Sequence, residues 1–131
     1  MRLLLLIFAA AAITACGPDL NSPSSTSITG KWQSADSISY FYNLKMDLSQ
    51  TTSGDLTGAW TGLLTGGHLS CPENTICSAA NTITGRNTVV GVTIEILGVG
   101  TFTGQMENGN TLRGDILRFD GDFRTKFTKV P

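Results

Sequence analysis

The sequence contains little that carries charge or catalytic chemistry. Only 15% of its 131 residues are charged, the net charge is −1, and there are one histidine and three cysteines. So small a net charge gives no sign of the strongly basic composition expected of a nucleic-acid-binding protein. Prolines number four and tryptophans two, whereas glycine occurs 15 times. This composition argues against a helical bundle, a coiled coil or a polytopic membrane protein, and it suits one small β-rich domain.

Long apolar runs are also lacking, with one exception at the N-terminus. Arg2 supplies a positive charge, and residues 3–12 form an unbroken apolar run. A helix that spans a bilayer needs about 20 apolar residues, so this run is too short to be one. A short charged region followed by a short apolar one is typical of a bacterial secretory signal.

The end of this segment, Ile13-Thr14-Ala15-Cys16, resembles the lipobox of bacterial lipoproteins. The resemblance implies that residues 1–15 are a signal peptide, that the chain is cut before Cys16, and that Cys16 carries lipid. Two or more acyl chains hold a protein stably on a membrane. The resemblance therefore implies a cell-envelope protein that is lipid-anchored on the extracytoplasmic side of a membrane. In a diderm organism, Gly17 after the cysteine favours the outer membrane. An ordinary secretory signal with an incidental cysteine is the alternative.

The next segment has almost nothing to bury. Residues 17–26 contain one apolar residue, Leu20, together with two prolines and four hydroxyl side chains. Such a composition is typical of a flexible chain, so we expect residues 16–26 to be the lipidated cysteine and its tether. Residues 27–131 are then the folded domain, whose length is normal for a single domain.

A triplet of apolar residue, polar residue and glycine recurs along the folded part. In a strand, residues two apart share a face, so large and small side chains alternate on one face of each strand. Inward glycines beside bulky neighbours are typical of a tightly curved or closed sheet. The five triplets are Ile28-Thr29-Gly30, Leu56-Thr57-Gly58, Ile83-Thr84-Gly85, Phe102-Thr103-Gly104 and Leu112-Arg113-Gly114.

Two further segments, 40–49 and 90–96, follow the same period of two. In segment 40–49 the alternation predicts that Tyr42 lies on the inner face of the sheet and Phe41 on the outer face. Turn residues occur at 53–55, 86–88, 108–110 and 120–122. The pattern predicts an all-β antiparallel up-and-down meander that closes into a small barrel, with a two-sheet sandwich as the alternative. The eight predicted strands lie near 28–34, 38–49, 56–64, 81–86, 89–96, 101–107, 111–118 and 122–129.

Two of the strands carry motifs of a known group of barrels. Gly30-Lys31-Trp32 resembles the Gly-x-Trp start of lipocalins, and Leu56-Thr57-Gly58-Ala59-Trp60 is similar to strands of the wider calycin group, which includes avidins. The resemblance implies a barrel in which Trp32 packs over the closed end against an arginine, here Arg118 or Arg124. Biotin binding is not implied, because Trp32 and Trp60 are the only tryptophans.

Two cysteines remain once Cys16 is lipidated. Cys71 and Cys77 lie six residues apart in the longest connection, about residues 65–80. An exported protein meets an oxidising compartment, so we predict that this pair forms a structural disulfide. A redox-active pair would be spaced Cys-x-x-Cys, and a zinc site needs more ligands.

Groups suited to catalysis are scarce. His68, the only histidine, has no adjacent carboxylate and is interpreted as a surface residue. Asp120-Gly121-Asp122 offers too few oxygens for calcium and indicates a hairpin turn. The glycines do not form a phosphate-binding loop. We therefore expect no catalytic residues, no metal, no cofactor and no enzyme activity.

The barrel interior is the remaining candidate for function. Tyr42, Trp60, Phe102 and Met106 are predicted to face inward among glycines. One hypothesis is a cavity for a small apolar ligand, with the tyrosine hydroxyl as a polar handle. The other is a solid core, in which case the protein is a structural or protein-interaction module of the envelope, with a partner that the sequence does not identify.

Overall fold

A computed structural model describes Gly17 and residues 19–131, so Cys16 and the predicted signal peptide lie outside the described residues. Each strand is antiparallel to the next, and the last pairs with the first, so the sheet closes into an eight-stranded barrel. The predicted all-β meander barrel is therefore confirmed over the sandwich. The strands are β1 Gly30–Ser34, β2 Phe41–Gln50, β3 Asp55–Thr65, β4 Ile76–Thr88, β5 Gly91–Ile96, β6 Gly100–Asn108, β7 Thr111–Arg118 and β8 Gly121–Val130.

The barrel has two ends, which we call upper and lower. The connections β1–β2, β3–β4, β5–β6 and β7–β8 meet at the upper end, and the other three turns lie at the lower end. The segment before β1 also lies at the lower end, where Pro23 bridges to Thr88 and the Val89 amide donates to the Ser22 carbonyl at 3.0 Å. Part of the predicted tether is thus bonded to the barrel. In the part of the chain that the structure describes, no helix is long and apolar enough to cross a bilayer.

The core lies inside the barrel and forms one contiguous cluster. Every strand is paired on both sides, so the barrel completes its own hydrogen bonding and its own core within residues 28–127. The described chain is therefore a self-contained folding unit. The most deeply buried large side chains are Trp32, Phe41, Phe102, Phe127, Ile28, Ile38, Leu44, Met46, Leu48, Leu56, Ile83 and Ile94.

Gly104 shows how large and small residues interlock on the inner face. A Cβ at Gly104 would lie 2.6 Å from the ring of Phe102 and 2.8 Å from the Cα of Gly114, so the position has room for glycine alone. The ring of Phe102 occupies this space and packs edge-to-face on Phe127, with centroids 5.5 Å apart. Here the predicted alternation of bulky residue and glycine is confirmed.

Tyr42 lies on the face of β2 opposite to the one predicted. Asn43 has a φ of 51°, and the β2–β3 register shifts between Tyr42 and Lys45, which marks a β-bulge. The extra residue reverses the alternation, so Phe41 is only 2% exposed and Tyr42 lies opposite Leu63 on the outer face. A shift of one residue moves every neighbouring side chain to the other face. The predicted inward position of Tyr42 is therefore wrong.

Strand β4 also differs, because it extends beyond the predicted 81–86 at both ends. The turn predicted at 86–88 is wrong, since the β4–β5 turn consists of Val89 and Val90. Asn87 is buried instead, and its Nδ2 donates to the Thr26 carbonyl at 2.7 Å and to Gln50 Oε1 at 3.0 Å. Its amide therefore fastens the segment before β1 to the lower end.

Candidate functional site

The four residues predicted to line an interior cavity do not form the wall of one cavity. Trp60 is buried toward the upper end, and Phe102 is fully buried against Phe127. Met106 is only half-buried and lines a cleft at the lower end, and Tyr42 lies on the outer face. Packed side chains therefore occupy the space around Trp60 and Phe102.

The upper mouth of the barrel is closed by a plug centred on Phe41. Trp60 of β3 packs edge-to-face on Phe41 with centroids 5.6 Å apart, and the His68 ring lies 5.8 Å from it. The guanidinium of Arg118 lies 5.2 Å from the centroid of the same ring. Such aromatic and cation–π contacts are favourable beyond the area they bury. The bulge in β2 creates the plug, because it is the bulge that turns Phe41 inward.

Arg118 is charged, yet its side chain is only 3% exposed. Its Nε donates to Asp120 Oδ1 at 2.7 Å, and its Nη1 donates to the carbonyl of Val99. The guanidinium also lies 5.5 Å from the centroid of Phe119. A buried charge is tolerated when it is paired and hydrogen-bonded, and these contacts meet that condition.

Asp120 joins two connections of the upper end. It accepts from Arg118 and also from the Ser39 hydroxyl, at 2.6 Å from Oδ2. These hydrogen bonds, first that of Arg118 and then that of Ser39, lower the pKa of Asp120 below its ordinary value. Asp120 therefore holds the β7–β8 turn to the β1–β2 connection as an ionised carboxylate.

The β3–β4 connection is folded over the plug by a disulfide. Cys71 and Cys77 are bonded, with Cα atoms 5.8 Å apart, which confirms the predicted disulfide. The fold of this loop is tight, because a Cβ at Gly66 would lie 2.6 Å from both the Asn74 amide nitrogen and the Pro72 carbonyl oxygen. The loop brings His68 against Phe41.

A cleft of about 500 Å³ opens beside the plug. Its volume lies within the range of small-molecule sites, and its walls, which are open to solvent, combine apolar and polar groups. Within Gly17 and residues 19–131, no group of three or more His, Cys, Asp or Glu is placed to hold a metal. The cleft, which we call the upper cleft, is lined by His68, Glu95, Ile96, Leu97, Gly98, Val99, Gly100, Thr101, Leu117, Arg118 and Phe119.

Trp60 connects the upper cleft to the core. Its indole Nε1 donates to the carbonyl of Leu97 at 2.9 Å, and Leu97 lines the cleft. A ligand that moves the β5–β6 connection would therefore change the environment of the indole. Trp60, predicted as a ligand contact, lies directly beneath the site and not in a cavity of its own.

None of the residues that line the upper cleft is identified as a site residue from the sequence. His68 is interpreted there as surface, yet it is half-buried against Phe41. The cleft combines residues from three connections that are far apart in the chain, and a strand pattern does not show which loops meet. The available signal is the unusual apolar character of the connections themselves, where Leu97 and Phe119 are 49% and 95% exposed.

The lower end is closed by Trp32, as the lipocalin resemblance implies, but with a different cation. Trp32 is fully buried, and its Nε1 donates to the Ile28 carbonyl at 2.9 Å. Lys129, its partner in the β1–β8 register, places Nζ 5.6 Å from the centroid of the Trp32 ring. The expected arginine is therefore wrong: Arg118 lies at the upper end, and Arg124 pairs with Asp115.

Comparison with known proteins bears on the fold. No protein-family model and no curated protein matches the chain. The chain is similar to Japanin from Rhipicephalus appendiculatus, solved bound to cholesterol, at 12% identity and a TM-score of 0.54, over 82% of this chain and 80% of Japanin. At that identity the likeness concerns the fold alone. Together with the closed eight-stranded barrel, it supports the calycin-like architecture that Gly30-Lys31-Trp32 indicates.

Proposed function

We propose that this protein is a bacterial lipoprotein, held on the extracytoplasmic side of a membrane through lipid on Cys16. The lipobox-like Ile13-Thr14-Ala15-Cys16 supports the proposal. In a diderm organism the proposed location is the outer membrane. Mass spectrometry of the N-terminal peptide tests it: we expect Cys16 as the first residue with added acyl mass, and a Cys16→Ser variant released into the soluble envelope fraction. An unmodified Cys16 would contradict the anchor.

We further propose that the anchored barrel binds a small apolar ligand, and that the ligand occupies the upper cleft. The observation that carries this proposal is an apolar cleft of about 500 Å³ beside a closed mouth. Leu97, Leu117 and Phe119 supply exposed apolar surface that a ligand would cover. Removing such surface from water is the main driving force for binding apolar molecules.

The polar groups of the cleft define the class of ligand. His68 and Glu95 lie at its wall, where they are available to a hydroxyl or amide on an otherwise apolar molecule. Arg118 already has its partners in Asp120 and Val99, so we assign it a positioning role. Japanin was solved with cholesterol, an apolar molecule with one hydroxyl, which makes sterols a reasonable class to test beside fatty acids.

Fluorescence titration tests ligand binding, with Trp60 as the intrinsic probe. We expect sterols or fatty acids to change the emission saturably, because Trp60 is hydrogen-bonded to Leu97 of the cleft. A Leu97→Thr/Leu117→Thr variant should bind about tenfold more weakly, since it loses apolar contact area. A Tyr42→Phe variant is the matched control, because Tyr42 lies on the outer face away from the cleft. A flat response to every ligand would contradict the proposal.

A protein-interaction role is the second candidate, and the outermost apolar side chains favour it. Leu69 is 105% exposed and does not line the upper cleft, so a small ligand in the cleft would leave it uncovered. Contiguous apolar patches on a surface mark interaction sites. A photo-crosslinker placed at residue 69 in cells tests this role: one discrete adduct that disappears with Phe119→Ser would favour a protein partner, and absence of any adduct would favour the ligand.

A further inference from the structure

The lower end carries apolar side chains where a hairpin turn ordinarily has polar ones. Val89 and Val90 form the β4–β5 turn and are 55% and 54% exposed. Two-residue turns favour Asn, Asp and Gly, and the β6–β7 turn at the same end, Gly109–Asn110, follows that rule. Leu20, 60% exposed, lies just before Ser22, which accepts a hydrogen bond from the Val89 amide. We call Leu20, Val89 and Val90 the apolar tip.

Charge is distributed unequally between the two ends. The upper end holds an excess of acidic residues, and the lower end a small excess of basic ones, once Lys31 is counted together with Asp47, its partner in the β1–β2 register. The charges between the two ends are Lys45, Asp115 and Arg124. The upper group comprises Asp36, Glu73, Glu95, Asp120, Asp122 and Arg118. The lower group comprises Lys31, Arg86, Arg113, Lys126, Lys129, Asp19, Asp47, Asp55 and Glu107.

The chain also enters the barrel at the basic end. The Ser24 amide donates to the Asn87 carbonyl at 3.1 Å, so the chain is fixed to the barrel from about Ser22 onward. The stretch between Cys16 and Ser22 spans at most about 20 Å when fully extended. Lipid on Cys16 would therefore keep the lower end close to the bilayer surface.

We propose that the lower end docks on an anionic lipid bilayer, with the apolar tip among the headgroups. This inference deepens the proposed function and rests on its membrane anchor. Apolar side chains enter the interface while basic residues meet anionic lipid, and each adds to the other. The acidic upper end is repelled from the same surface, so the upper cleft faces away from the membrane and stays open to its ligand.

Vesicle sedimentation tests the docking without the lipid on Cys16. The protein used is the chain from Gly17 to Pro131, which contains the complete barrel and core. We expect it to bind vesicles of phosphatidylglycerol and phosphatidylcholine, and to bind less as salt screens the basic residues. A Val89→Thr/Val90→Thr variant keeps the branched side-chain shape and should bind about tenfold more weakly.

The Leu97→Thr/Leu117→Thr variant is the matched control, because its two leucines are 49% and 45% exposed at the opposite end. We expect its vesicle binding to be unchanged. Any of three results would overturn the docking. The unsubstituted chain does not bind vesicles, the valine variant binds them as tightly as the unsubstituted chain, or only the leucine variant loses vesicle binding. The proposed function fails separately, through an unmodified Cys16 or through a flat ligand titration.

Discussion

The two ends of this barrel are closed by different kinds of contact. At the lower end, Trp32 is held by the carbonyl of Ile28, four residues earlier, and by Lys129 on the adjacent strand. At the upper end, Phe41 is held by residues of β3, of the β3–β4 connection and of β7. The lower closure thus uses residues that are close in the chain or in register on adjacent strands, whereas the upper closure depends on residues from distant parts of the chain that tertiary structure brings together.

This difference is the reason we place the proposed ligand site at the upper end. Connections tolerate variation in length and sequence better than the strands that carry them, and binding residues are concentrated there. The disulfide between Cys71 and Cys77 and the Arg118–Asp120 pair hold these connections in place. The upper end therefore combines a fixed scaffold with exposed apolar side chains.

The largest expected effect comes from truncating the two closing aromatics. We expect Trp32→Ala and Phe41→Ala each to lower the free energy of unfolding by about 3–5 kcal/mol, because both rings are fully buried. Urea denaturation measures the loss, and hydrogen exchange separates the two ends. Only Phe41→Ala should raise exchange in residues 66–75. Equal exchange there in the Trp32 variant would show that the two closures are not independent.

The sequence predicts the lower closure better than the upper one. The Gly30-Lys31-Trp32 motif places Trp32 correctly, because the strand pattern and its register decide that position. The period of two also predicts all eight strands and their order. The lipocalin resemblance implies an arginine at Trp32, and the strand pattern does not show that Lys129 is the residue in register with it.

At the upper end the sequence pattern fails for a physical reason. The bulge at Asn43 turns Phe41 inward and Tyr42 outward, and a bulge changes local backbone geometry without changing the apparent alternation. The site residues His68 and Arg118 become neighbours only when the barrel closes. The disulfide is the exception, since the expectation of export and the number of cysteines together predict the pairing of Cys71 with Cys77, which the structure confirms.

Removing the disulfide is expected to have the next largest effect, and at the upper end alone. A Cys71→Ser/Cys77→Ser variant should lose about 2.4 kcal/mol of stability, because the unfolded chain gains loop entropy. Limited proteolysis should then cut within residues 66–75 faster than in the unsubstituted protein. The lower turn at Val89 and Val90 is the internal control and should be cut at the same rate in both. Unchanged cleavage of 66–75 would contradict the role of the bridge.

Replacing arginine by lysine at the upper end, or lysine by arginine at the lower end, should change the stability less than removing the disulfide. The change should also be larger at the upper end than at the lower end. Arg118→Lys keeps the charge but loses the planar fork to Asp120 and the stacking on Phe41, so we expect a loss of about 1 kcal/mol. Lys129→Arg keeps a cation over Trp32 and should leave the stability within about 0.5 kcal/mol of its original value. Thermal denaturation of both variants measures this, and equal losses would contradict the asymmetry.

Acid should produce the smallest effect, and it should act first on the upper end. The hydrogen bonds from Arg118 and Ser39 lower the pKa of Asp120 in the folded protein, so the stabilisation is complete above the ordinary carboxyl pKa of about 3.9. It is lost as the pH falls through the lowered value, because protonation removes the charge that Arg118 pairs with. The lower end has an analogous pair, since the hydrogen bond from Arg113 lowers the pKa of Glu107.

The two acidic pairs differ in burial, and that difference makes the acid prediction testable. The Arg118 side chain is 3% exposed and the Arg113 side chain is 52% exposed, so loss of the carboxylate leaves a buried cation only at the upper end. Trp60 emission should therefore change between pH 5 and pH 2, and Asp120→Asn should already show the acid signal at pH 5. The acid profile of Glu107→Gln should match that of the unsubstituted protein, because water solvates the exposed Arg113 when the carboxylate is lost. Identical acid profiles of the two variants would mean that the upper mouth is no more dependent on its ion pair than the lower end is.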